Sequence, residues 1–417
     1  MAREAQYGAH NYHPLPVVLA RGSGTLVWDV DGKEYFDFLS AYSAVNQGHG
    51  HPKIVQALAE QVETLALTSR AFYNDQLGSY EQKITELFGY HKVLPMNSGA
   101  EAVETAIKLA RRWAYDVKGI PANSAKIVVV DQNFHGRTTT IVSFSSDPDS
   151  YGGFGPYAEG FVRIPYNDLA ALEEALKDPH VAAFLAEPIQ GEAGVLVPDT
   201  NYWAGARAAC TAAGVLMLAD EVQTGIGRTG AWLASCGACT CTSTCERQAS
   251  YVRPDVLILG KALSGGVYPV SAVLADDEVM LTIHPGQHGS TFGGNPLASR
   301  VAQAALDVVS DEGLLANARE RGVHFRAGID RLLPKFPILN LVRGKGLLNA
   351  VQLNDTETGT AAWDLCLLMA GEGLLAKPTH GNIIRFAPPL IITEAQMEEA
   401  LSRIERALVR FEKARVA

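Results

Sequence analysis

Two patterns alternate along the middle of this chain. One consists of apolar runs of five or six residues that stop abruptly at a charge or a glycine. The other repeats apolar positions three and four apart. Ala125-Lys126-Ile127-Val128-Val129-Val130, Val181-Ala182-Ala183-Phe184-Leu185-Ala186, Val215-Leu216-Met217-Leu218-Ala219 and Asp255-Val256-Leu257-Ile258-Leu259-Gly260 are of the first kind. They read as strands buried on both faces. Residues 169–176 and 202–213 are of the second kind and read as helices between strands. Such alternation is what a βαβ sheet domain requires. A further helix opens at Asn97-Ser98-Gly99-Ala100-Glu101, with Ala102, Ala106, Leu109, Ala110 and Trp113 on one face. Toward the C-terminus the pattern changes to helices over 296–309 and 312–333, a strand over 348–353 and a closing helix over 394–413. This predicts an α/β chain in three parts. Residues 1–42 form an N-terminal segment joining the small domain, 43–313 a large, mostly parallel-sheet domain, and 314–417 a C-terminal small α+β domain.

Two of the strands end on residues that change the picture. The run ending at Ala219 leads into Asp220-Glu221-Val222-Gln223, and the run ending at Gly260 leads into Lys261-Ala262-Leu263-Ser264-Gly265-Gly266. Ligands in open α/β sheets bind outside the carboxyl ends of strands. A lysine at the end of a buried strand is costly unless it is paired or chemically used. A lysine that can form a Schiff base, with an acid able to face a pyridinium nitrogen, points to pyridoxal phosphate. Asp220 alone could equally be a buried acid satisfied by backbone donors.

Other segments are less specific singly. The helix N-terminus at Ser98, Gly99 and Ala100 suits an anion, though an ordinary capped helix has the same sequence. Phe134-His135-Gly136-Arg137 follows a strand, so Phe134 could stack on a planar ring and Arg137 could grip a carboxylate. His288-Gly289-Ser290-Thr291-Phe292 offers hydroxyls to a phosphate, or simply turns before the next helix. Gly225-Ile226-Gly227-Arg228-Thr229-Gly230 has the spacing of a dinucleotide loop, but no helix opens from it, so we read a glycine-rich loop and no nicotinamide site.

Composition narrows the function class. A chain of 417 residues with net charge −10 lacks the basic balance of a nucleic-acid binder, while local arginines can still serve anionic substrates. The first residues carry no apolar signal-peptide stretch, and no run reaches the roughly 20 apolar residues of a membrane span. The expectation is a cytoplasmic protein, or a mitochondrial matrix protein if a transit peptide has been removed.

Taken together, the segments resemble the class III (ω-amino-acid) aminotransferases. The resemblance runs from Tyr7-Gly8-Ala9-His10-Asn11-Tyr12 to Arg385-Phe386-Ala387-Pro388-Pro389. Its most specific stretches are Glu187-Pro188-Ile189-Gln190-Gly191-Glu192-Ala193-Gly194 and Gly260 to Gly266. It implies the pyridoxal-phosphate-dependent transferase fold type I, aspartate aminotransferase-like, in a homodimer with shared active sites. It also implies roles. Lys261 carries the cofactor and moves the proton, Asp220 keeps the pyridine nitrogen protonated, Gln223 bonds the ring hydroxyl and Phe134 stacks on the ring. Ser98, Gly99 and Ala100 hold the phosphate with Ser290 and Thr291 of the other subunit. Tyr12 and Arg137 anchor the amino-acid end of L-ornithine, with Tyr42 as a pocket wall. Arg385 takes the carboxylate beside the keto group of 2-oxoglutarate, Arg137 the distal one, and Glu192 pairs with Arg385 when ornithine is bound. The alternatives are another ω-amine (N-acetylornithine, 4-aminobutyrate or lysine) or a non-catalytic regulatory protein on the same fold.

One stretch departs from that family. Between Trp232 and Pro254 the chain is longer than the resemblance accounts for and carries Cys236, Cys239, Cys241 and Cys245. A reversible disulfide served by a thioredoxin-type reductant, a zinc site and a tolerated surface insertion all remain open. The single residue between Cys239 and Cys241 is poor spacing for one metal, so no metal is assigned.

Overall fold

The computed structural model describes residues 1–236 and 252–416. Three strands at the N-terminus, β1 (Leu19–Ser23), β2 (Leu26–Asp29) and β3 (Glu34–Asp37), form an antiparallel meander. The large sheet follows, from β4 (Lys92–Met96), β5 (Lys126–Val130), β6 (Phe161–Ile164), β7 (Val181–Ala186), β8 (Leu216–Asp220), β9 (Val256–Leu259) and β10 (Ser271–Ala275). Their order is β4-β10-β9-β8-β7-β5-β6. All neighbours run parallel except β10, which is antiparallel to both β4 and β9.

The parallel strands need apolar residues at every position because helices cover both faces. β7, β8 and β9 are accordingly buried from end to end. Helix Gly99–Asp116 lies on one face. Half of its buried side is alanine, including Ala102, Ala106 and Ala110, which with Val103, Ile107 and Leu109 pack over Ile127, Val129, Leu185 and Leu218. Small side chains let the helix approach the sheet closely. Its start is fixed by a capping box: Ser98 Oγ accepts from Glu101 N (3.2 Å), and Glu101 Oε2 accepts from Ser98 N (2.7 Å).

Beyond helix Pro296–Asp311 a left-handed Gly313 (φ 63°) turns the chain into helix Leu314–Asp330. Then come β11 (Leu339–Lys345), β12 (Leu348–Leu353), β13 (Leu374–Leu375), β14 (Lys377–Thr379) and β15 (Ile383–Phe386). β11-β12-β15-β14 form an antiparallel sheet, while β13 pairs in parallel with β3 at the other end of the chain. The closing helix, Glu394–Val416, runs three residues past its expected end. One apolar cluster joins Phe36 and Phe38 of the N-terminal segment to Leu259, Val301, Phe325 and Phe386. The loop 225–230 forms no helix, as expected from its sequence. Its Arg228 is fully buried, donating to Asn46 Oδ1, Leu347 O (2.9 Å) and Pro388 O (2.6 Å). Burial without a contacting carboxylate lowers its pKa to about 9. Among the described residues no helix is long and apolar enough to cross a membrane.

Candidate active site

The carboxyl ends of β5, β7, β8 and β9 converge beside the N-terminus of helix Gly99–Asp116. A cavity of about 170 Å³ opens there. β8 delivers Asp220, Val222 and Gln223 to its wall, β9 delivers Lys261, and the loop after β5 supplies Phe134 with His135 and Gly136. Gly99, Ala100, Glu187 and Glu192 complete the lining. The turn after β9 is sharp: Lys261 has φ 41° and opens a single 3₁₀ turn to Ser264.

Asp220 is 5% exposed and doubly held. Oδ1 accepts from Val222 N (3.0 Å), and Oδ2 lies 2.7 Å from His135 Nδ1. Burial, the largest single effect, opposes a charge on His135, but the hydrogen bond and charge of Asp220 together with the charge of Glu187 outweigh it and the imidazole pKa rises. Glu187, at the end of β7, accepts from Phe134 N (3.0 Å) and Gly191 N (3.3 Å). Burial pushes its pKa up to about 7, with His135 pulling the other way. Burial also lowers the Lys261 pKa against the attraction of Asp220, Glu192 and Glu187, which favours the neutral, nucleophilic amine.

At the cavity mouth Arg385, on β15, is 3% exposed and clamped by Glu192, whose two oxygens accept from its Nη1 and Nη2 at 2.8 and 3.0 Å. The Tyr42 ring covers the same guanidinium, with its centroid 5.3 Å from Cζ. Arg137 is exposed and lies with Cζ 5.6 Å from the centre of the Phe134 ring. Tyr12 is 73% exposed and does not line the cavity. Ser290 and Thr291 also lie off it; Ser290 Oγ accepts from Asn97 Nδ2 (3.0 Å) and Gly293 N (3.0 Å). Ser98 sits at the cap of the helix. The structure therefore brings together Lys261, Asp220, Gln223, Phe134, Gly99, Ala100 and Glu192 in one cavity, with Arg385 and Tyr42 joined to it through Glu192.

Sequence reasoning gave no role to His135, Glu187, Val222 or Gly136. The pairing of His135 with Asp220 spans 85 residues of chain, and only the fold reveals it. Of the cysteine tract, Cys236 ends the 3₁₀ turn Ala234–Cys236. The Cys236 side chain and residues Cys239, Cys241 and Cys245 lie outside the described residues.

The donor set fits pyridoxal phosphate. A buried amine stands with a buried, oriented carboxylate and a flat aromatic wall. A helix start supplies first-turn N–H groups that have no acceptor within the helix. Gly99 leaves that start uncrowded, since a Cβ there would stand 2.8 Å from Val222 Cγ1 and force that side chain to shift. Fold and site together define a pyridoxal-phosphate-dependent aminotransferase. The chain matches the model of the aminotransferase class-III family over residues 7–408, and it belongs to that family. It is 58% identical over 411 residues to the mitochondrial ornithine aminotransferase of Rattus norvegicus, covering 98% of this chain and 90% of that one. Two solved structures are similar. The ornithine aminotransferase from Toxoplasma gondii is 47% identical, with TM-score 0.95 and coverage of 100% and 95% of the two chains. The acetylornithine aminotransferase from Elizabethkingia anophelis is 57% identical, with TM-score 0.87 and coverage of 98% of each.

Proposed function

We propose that this chain is an L-ornithine δ-aminotransferase. It moves the δ-amino group of ornithine to 2-oxoglutarate, giving glutamate and glutamate 5-semialdehyde, which cyclises to pyrroline-5-carboxylate. The observation that carries this reading is the closed Glu192–Arg385 pair. With Arg385 neutralised, the carboxylate of an α-amino acid has no partner there, so ornithine is turned to present its far amine.

Pyridoxal phosphate, when bound, supplies the sink for carbanion charge and carries the amino group between the two half-reactions. The chain's own residues do the rest. Lys261 Nζ, whose neutral form burial favours, would take the proton from the substrate carbon and hand it across the nitrogen to the cofactor carbon. Asp220, held by His135 and Val222 N, keeps a proton on the pyridine nitrogen. Gln223 bonds the ring hydroxyl and Phe134 packs on the ring. Ser98, Gly99 and Ala100 hold the phosphate. Ser290 and Thr291 lie off their own cavity, which supports their serving that of a second copy in a homodimer. Tyr12 and Arg137 receive the amino-acid end of ornithine, and Tyr42 walls it. For the second half-reaction Glu192 releases Arg385, which takes the carboxylate beside the keto group while Arg137 takes the distal one. One site serving two substrates in turn gives ping-pong kinetics.

The similarity to a protein named acetylornithine aminotransferase supports a second reading, with N-acetylornithine as donor. A panel of L-ornithine, N-acetylornithine, 4-aminobutyrate and lysine with 2-oxoglutarate separates the two. Ornithine should lead in kcat/KM. A lead for N-acetylornithine would keep the transaminase and overturn the donor.

A further inference from the structure

The segment that carries Tyr42 has an unusual backbone. Ser40, Ala41, Tyr42 and Ser43 have φ of 49°, 46°, 59° and 76°, four consecutive left-handed residues with no glycine among them. L-residues visit this region singly; a run of four is a left-handed helical turn. Strain of this kind persists only where surrounding structure over-determines it, and it gathers at functional sites.

The entry to this turn is held by Asp37, at the end of β3. Its Oδ1 accepts from Leu39 N and Ser40 N, both at 2.8 Å, and so fixes the entry to the turn. Its Oδ2 is held by His49 Nε2 at 2.7 Å. His49 is anchored in turn, exchanging two backbone hydrogen bonds with Gly24 (2.8 and 3.0 Å). The exit is closed by Val45 N donating to Ser40 O (3.1 Å). Between these fixed ends the turn sets the Tyr42 ring against the guanidinium of Arg385, which Glu192 clamps. Asp37 itself does not line the cavity.

We propose that Asp37 is a positioning residue for donor choice: by holding the left-handed turn it places Tyr42 against Arg385 and so favours an ω-amine that carries an α-amino-acid end. The proposal rests on the ornithine reading above.

The test uses the holoenzyme and two donors, L-ornithine and 5-aminovalerate, which is ornithine without its α-amino group. D37A should lower kcat/KM for ornithine by about 10–100-fold, mostly through KM, the scale of a side chain displaced by about 1 Å. The same variant should cost 5-aminovalerate less than about 3-fold, because that donor makes no use of the placement. D37N keeps an oxygen for the two N–H groups and should retain most of the preference. Equal losses for both donors, no loss, or a D37N as impaired as D37A would overturn the proposal. If D37A does not fold, H49A shifts the donor ratio in the same direction by less, and an unshifted ratio overturns the proposal. Hydrogen exchange separates this failure from failure of the ornithine reading. Whatever the donor, D37A should deprotect residues 38–46 and leave helix Gly99–Asp116 protected. Unchanged exchange at 38–46 refutes the positioning role, whereas an enzyme that ignores ornithine but shows the local deprotection loses only the donor.

Discussion

Replacing Glu192 by glutamine should make the enzyme bind its keto acid more tightly and its amino donor less well. Gln keeps the volume and removes the charge. In the native pair both Glu192 oxygens face a guanidinium that is almost fully buried. Two unit charges about 4 Å apart at an effective dielectric of about 20 attract by about 4 kcal/mol, which is a ceiling. The Glu192 side chain is 34% exposed, so solvent screening brings the working figure to about 1.5–3 kcal/mol. The incoming keto acid must overcome that attraction before it reaches Arg385. Without it, KM for 2-oxoglutarate should fall by about 10-fold or more, since 1.4 kcal/mol is tenfold. The carboxylate of ornithine would meanwhile find Arg385 unmasked and bind end-for-end, so ornithine should become inhibitory at high concentration. The assay is pyrroline-5-carboxylate formation over a grid of both substrates, fitted to ping-pong kinetics. An unchanged or raised KM for 2-oxoglutarate, with ordinary ornithine kinetics, would refute the gating argument.

Three further outcomes are expected. K261A should lower turnover by at least about 10²–10⁴-fold, the scale of a positioned proton transfer, with the overall fold unchanged by circular dichroism. Glu187 has its folded pKa raised to about 7 from 4.5, so its favourable contribution is complete below about pH 4.5 and is lost as pH rises through 7. The stability gap between E187Q and the wild type should therefore move in favour of E187Q between pH 5 and 8, by at most about 3 kcal/mol; a gap that stays flat in thermal melts would show that Glu187 does not titrate there. S98A removes the cap of helix Gly99–Asp116 and should cost about 1 kcal/mol in denaturant unfolding.

The parts legible in the sequence were those whose neighbours barely matter. β7 and β8 are buried on both faces, so their composition alone marks them, and Tyr202–Ala213 is a helix with the bounds its periodicity predicts. Lys261 and Asp220 stood out because charge at the end of such strands is costly. What stayed hidden depends on pairing. Ser271-Ala272-Val273-Leu274-Ala275 resembles its neighbours, and nothing in it says that β10 runs antiparallel. The left-handed turn at 40–43 has no glycine to announce a positive φ. His135 and Glu187 sat inside recognised motifs, yet their closeness to Asp220 arises only when β5, β7 and β8 lie side by side.

The pairing of β3 with β13 bears on how the chain is made. Glu34–Asp37 leaves the ribosome early, but its partner Leu374–Leu375 is not synthesised until residue 375 of 417. Until then Phe36 and Phe38 lack the C-terminal part of the cluster that buries them. The N-terminal segment, with the left-handed turn at 40–43, is therefore among the last parts to settle, and the nascent chain carries exposed aromatic surface through most of its synthesis. A large domain whose own strands are complete by residue 275 can form first and wait. Lys261, on the turn after β9 of that sheet, would then be in place well before Arg385 on β15.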